Sequence, residues 1–143
     1  MRRILIAYAL TALPFLALDA VWLSTAMGWL YAPQIGPLLL AQPKPLPAGL
    51  FYALYLVGVV AFAVAPALPE RGLMARPGQA LRAGALLGLV AYGTYDLTNM
   101  ATLRGWSATV CVADMAWGMV ATGLAALLGT LATAWLTKPG PSR

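Results

Sequence analysis

Three carboxylates interrupt long apolar stretches of this chain: Asp19, Asp96 and Asp114. An ionisable group at the centre of a membrane helix costs about 2.5–3.5 kcal/mol on insertion scales, so each needs a reason to be there. Tyr92, Tyr95, Asp96 and Asn99 are spaced i, i+3, i+4 and i+7, which is one face of a helix. Cys111, Asp114, Gly118 and Ala121 make a second small-and-polar stripe with Trp117 beside it. Trp22 falls one turn from Asp19, and Tyr52 and Tyr55 sit together in the second apolar run of the chain. Carboxyls that share a low dielectric repel one another unless protons or donors intervene, and tyrosine hydroxyls and the Asn99 amide are such donors. The set suits a proton relay, a cation site walled by aromatic faces, or an anchor for a polar lipid headgroup. Arg104 could instead neutralise Asp96 or Asp114. The plainer alternative is that these groups hold helices together, at about 0.6 kcal/mol per hydrogen-bonded pair.

The composition excludes much other chemistry. There is no histidine, so no Ser-His-Asp or Cys-His machinery and no histidine-ligated metal. The single cysteine, Cys111, can form neither an internal disulfide nor a Cys-x-x-Cys centre. Asp residues from three helices could hold Mg²⁺ or Ca²⁺, but no spacing demands it. The sequence therefore assigns no catalytic residue, no metal ligands and no cofactor.

The elements that must position these residues follow from composition. Of 143 residues, 62% are hydrophobic and 9% charged, with a mean hydropathy of +0.80. A soluble domain carries about 25% charged residues, so the chain reads as an integral membrane protein. About 20 apolar residues span a bilayer core as helix, and spans are expected at about 4–26, 48–68, 79–101 and 107–136. The second is closed by Pro66 and Pro69. The fold class expected is all-α: a single membrane domain over 1–143, a four-helix transmembrane bundle. The apolar run after Arg2 and Arg3 continues through Val21-Trp22-Leu23, which favours an uncleaved first span over a secretory signal.

The net charge of +5 gives no reason to expect nucleic acid, because its sources are scattered. Arg2, Arg3, Arg71, Arg76, Arg82, Lys138 and Arg143 fall on one side of the expected spans, and Lys44 and Arg104 on the other. Seven against two puts both termini in the cytoplasm. Glu70 lies with the seven, while the three Asp share one depth towards the opposite face. Trp29, Tyr31 and Trp106 would mark the outer interface and Trp135 the inner one. The outer connector, 27–47, holds five prolines and the run Leu38-Leu39-Leu40. It either folds over the bundle mouth or forms a stiff link whose leucines touch lipid.

Two short patterns echo. Asp19-Ala-Val-Trp22 matches Asp114-Met-Ala-Trp117, and Tyr52-Ala-Leu-Tyr55 matches Tyr92-Gly-Thr-Tyr95. The order is mirrored rather than tandem, so chance or convergent site-building explains it better than duplication. The stretch from Tyr92 to Trp106, YGTYDLTNMATLRGW, with Asp114-Met-Ala-Trp-Gly118, resembles a bacterial membrane family catalogued as domain of unknown function 2177. Asp19 to Leu23, Phe51 to Tyr55 and Pro66 to Leu68 fit the same pattern. The resemblance implies a small multi-pass protein of the bacterial inner membrane and carries no activity with it.

The expected function is binding or transport of a small polar, cationic or lipid-derived ligand in an outer-leaflet pocket. Its candidate residues are Asp19, Trp22, Tyr52, Tyr55, Tyr92, Tyr95, Asp96, Asn99, Asp114 and Trp117. A lipid- or isoprenoid-directed enzyme using Asp and Tyr is one alternative, and an accessory subunit of a larger complex another. The partners expected are the lipid bilayer and either further copies of the chain or a larger membrane complex.

Overall fold

The computed structural model describes residues 1–68 and 74–137. Pro69, Glu70, Arg71, Lys138 and Arg143, used above to bound and orient the spans, lie outside the described residues. Among those described there is no β-strand. Helix α1 covers Arg2–Ala26 and passes through Pro14 without a break. A π-helical turn, Met27–Tyr31, then leads into the short helix α2, Ala32–Ile35, and a 3₁₀ turn, Gly36–Leu38. Helix α3, Pro45–Val59, continues through a second π turn, Val60–Val64, and a 3₁₀ turn, Ala65–Ala67. Both π turns lie just ahead of a proline, Pro33 and Pro66, which has no N–H to return to the preceding turn. Helices α4, Pro77–Thr102, and α5, Ala108–Leu136, complete the order. Ser107 caps α5, its hydroxyl accepting from the Thr109 and Val110 amides at 3.2 and 3.4 Å.

Three helical runs are long and apolar enough to cross a membrane: Arg2–Leu38, Pro45–Ala67 and Ala108–Leu136. Helix α4 forms where a span was expected but is not among them. Arg82, Asp96, Asn99 and its threonines lower its apolarity, so the residues that make α4 chemically interesting also weaken its membrane signature. The first run extends well past the expected boundary at 26. The connector 27–47 is thus helical through Leu38, and Leu30, Tyr31 and Ile35 are buried against Val110 at the start of α5.

The packing is that of a protein whose solvent is hydrocarbon. Leu5, Leu13, Leu54, Val57, Phe62 and Val112 point outward and are more than half exposed. The fully buried set is instead rich in small and hydroxylated residues, Ala7, Ala80, Ala121, Ala125, Thr11 and Thr122 among them. Lipid offers no hydrophobic drive between helices, so close backbone approach must hold them. The tightest approach is α4 against α5. A Cβ on Gly88 would run into the Gly118 carbonyl, and one on Gly84 would lie 2.8 Å from both Ala126 Cβ and the Thr122 carbonyl oxygen. Gly129 admits α1 in the same way, against Thr11.

Candidate functional site

On α1, Asp19 and Trp22 stand three residues apart, and on α5 Asp114 and Trp117 do the same. Equal helical spacing puts each carboxyl and indole on one face. Those two faces meet. The indoles of Trp22 and Trp117 stack with centroids 4.7 Å apart and planes 8° from parallel. Each helix's tryptophan then serves the other helix's aspartate. Trp117 Nε1 donates to Asp19 Oδ1 at 3.2 Å. Trp22 Nε1 donates to the Tyr31 hydroxyl at 2.8 Å, and Tyr31 donates in turn to Asp114 Oδ1. The mirrored sequence echo is therefore realised as a reciprocal contact between α1 and α5. Helix α3 adds the Tyr52 hydroxyl, donating to Asp19 Oδ2 at 2.5 Å. Asp19 and Asp114 are 5% and 8% exposed.

Beside this network lies a cavity of about 580 Å³, within the range of small-molecule sites. It draws Asp19 and Trp22 from α1, Tyr52 and Tyr55 from α3, Tyr92 and Tyr95 from α4, and Asp114 and Trp117 from α5. Tyr55 shares a hydrogen bond of 2.7 Å with Thr122, and its ring meets Tyr92 edge-on at 6.2 Å. Tyr92 lies in this wall because Gly118 has no side chain, a Cβ there striking the Tyr92 ring.

Two candidates fall elsewhere. Asn99 does not line the cavity, and neither does Asp96. Asp96 is fully buried on α4, with the Trp106 indole as its hydrogen-bonding neighbour and Asp114 close enough to act on it electrostatically. The pair is loosely set, and neither the Trp106 N–H nor the Asp96 oxygens make a close, well-aligned hydrogen bond. Of the three carboxyls expected to converge, Asp19 and Asp114 join the network and line the cavity. Asp96 lies near Asp114 but does not line the cavity that Tyr92 and Tyr95 reach. Arg104 is exposed, and neither Asp96 nor Asp114 takes a partner from it. Among the described residues no group of three or more His, Cys, Asp or Glu is placed to hold a metal ion.

Tyr31 is the residue that sequence reading missed. It reads as an interface aromatic in a proline-rich connector, yet it is buried and joins Trp22 to Asp114. Trp29, by contrast, is exposed. The available signal was that no proline stands between Ala26 and Pro33 and that Gly28 is the one weak helix former there, which lets the helix run past the expected boundary.

Apolar exteriors, small-residue interfaces and a buried acidic-aromatic network define an all-helical membrane protein built around a cavity. The family described as "Predicted membrane protein (DUF2177)" matches residues 4–131, and the chain belongs to it. No curated protein and no solved structure matches the chain.

Proposed function

We propose that this is a bacterial inner-membrane protein that binds or carries a small polar, cationic or lipid-derived ligand in the cavity between α1, α3, α4 and α5. The reading has it cross the bilayer four times, as a four-helix bundle with both termini cytoplasmic and the cavity towards the outer leaflet. Support for α4 as a span comes from its outward side chains. Leu86, Val90 and Leu97 are exposed, and the hydroxyls of Thr94, Thr98 and Thr102 return to carbonyls of their own helix. Its polar Asp96 and small Gly84 and Gly88 are buried. The seven-to-two partition of basic residues supports the orientation. A C-terminal fusion should then give a fluorescent green protein and an inactive alkaline phosphatase.

The observation that carries the binding proposal is the cavity itself, enclosed by aromatic rings and reached by two buried carboxyls. Native mass spectrometry of protein extracted in mild detergent should show a bound small molecule. Ala91→Trp, which fills the cavity from α4, should remove it without unfolding the chain. An unaltered protein that carries no such molecule, and whose tryptophan fluorescence ignores a lipid and metabolite extract, sinks the reading. The same spectra report whether the chain assembles with copies of itself or within a larger membrane complex.

A further inference from the structure

An apolar cavity needs no charge to hold hydrocarbon, yet this one contains charge of a single sign. Two carboxyls line it, with no lysine or arginine, and the two are not equivalent. Both oxygens of Asp19 are occupied, by Tyr52 and Trp117. Asp114 receives Tyr31 on Oδ1 alone. Its Oδ2 has no partner and is not sealed within protein, although the side chain as a whole is more than nine-tenths buried. One carboxyl oxygen is therefore left open to the cavity.

The cavity that holds it is also lined by the rings of Tyr92, Tyr95 and Trp106, and aromatic faces are electronegative. A phosphate or carboxylate placed there would meet negative charge with no cation to compensate, in a medium that screens poorly. A plain hydrocarbon would fill the space and leave Oδ2 unmet. A cation with an N–H to donate and an apolar body satisfies both. Its hydrogen bond to a carboxylate is about twice as strong as a neutral one, and the aromatic faces attract its charge. The hydrocarbon part has an exit as well, because Leu23, Met27, Leu39 and Phe51 line the cavity and are each more than a third exposed.

We infer that the cavity takes a protonated organic amine, its N–H donated to Asp114 Oδ2 and its hydrocarbon part lying between the aromatic walls and the apolar rim. The inference rests on reading the cavity as a ligand site and narrows that reading to one chemical class.

Phenethylamine, 2-phenylethanol and 3-phenylpropanoate share one hydrocarbon body and differ in the charge at its tip. Each is titrated at pH 7 into the purified full chain in detergent micelles, followed by tryptophan fluorescence and by calorimetry. The amine should bind at least tenfold more tightly than the alcohol, and the propanoate should not bind. Asp114→Asn, which keeps an acceptor for Tyr31 and loses the charge, should bring the amine to the level of the alcohol. Alcohol binding as tight as amine binding overturns the amine assignment and leaves the ligand site standing. Binding by none of the three also overturns it, and the co-purified ligand then decides the broader reading. The selectivity is read on the unaltered chain, so poor folding of the variant does not protect the inference.

Discussion

Asp19 and Asp96 are both buried carboxyls inside long helices, and their surroundings could hardly differ more. Asp19 accepts from a tyrosine of α3 and a tryptophan of α5, so one side chain ties together three helices. Asp96 is fully enclosed, and its neighbouring donor, the Trp106 indole, makes no close, well-aligned bond to it. The difference shows two ways in which a membrane interior can hold an acid. One is a polar network in which every helix that passes contributes a donor. The other is a sealed site served by a loosely set donor, the Trp106 indole from the connector between α4 and α5. In the first the carboxyl contributes to packing, and in the second packing is maintained at the carboxyl's expense.

The largest effect should come from destroying the enclosure. Gly88→Val drives a side chain into the Gly118 carbonyl, and overpacking of that kind costs about 3 kcal/mol. Thermal unfolding in detergent should show it as a loss of the cooperative transition. Retained stability would mean that α4 and α5 can separate. Next in size is Asp19→Ala, which leaves the Tyr52 hydroxyl and the Trp117 indole without an acceptor. Interhelical hydrogen bonds in membranes average about 0.6 kcal/mol and reach about 1.7, so two of them predict a loss of about 1–3 kcal/mol.

A smaller loss, about 1 kcal/mol, is expected for Tyr31→Phe, which removes the bridge between Trp22 and Asp114. Here the sharper readout is tryptophan emission, because the Trp22 N–H loses its acceptor while the Trp117 stack remains. Smallest, and opposite in sign, is Asp96→Leu. Replacing a buried carboxyl that makes no close hydrogen bond by an apolar group of similar shape should raise stability by up to about 1 kcal/mol. If it lowers stability as much as Asp19→Ala does, the Trp106 indole holds Asp96 as firmly as Tyr52 and Trp117 hold Asp19, and the contrast fails. A stabilised Asp96→Leu chain that no longer binds ligand would sharpen it instead, since strain retained at a functional group is released when function is removed.

How much of this was legible beforehand varies with the kind of information each residue carries. Helical faces were, because periodicity within one helix is written in one stretch of chain. Thus Asp19 with Trp22 and Asp114 with Trp117 could be paired before any helix was placed. The depth of Asp96 could be read in the same way, but not its direction around the axis relative to α1 and α3. That angle is set by the α4–α5 glycine contact, which makes Gly88 meet Gly118 and carries Asp96 out of the cavity. Tyr31 was hidden for another reason. Five prolines between residues 27 and 47 suggested an irregular connector, and the helix nevertheless absorbs the first of them through a π turn.

That π turn has a consequence for how the site could vary. A π turn holds one residue more than the α-helical turn it replaces, and each residue advances a helix by about 100°. Removing one residue between Met27 and Leu30 would let this turn close as plain α-helix, with the helix on either side keeping its place. Tyr31, downstream of the deletion, would still reach Asp114. The identity of the donor to Asp114 is thus protected against a change of length in this turn. A single-codon deletion there, with no substitution anywhere in the network, should leave it unchanged.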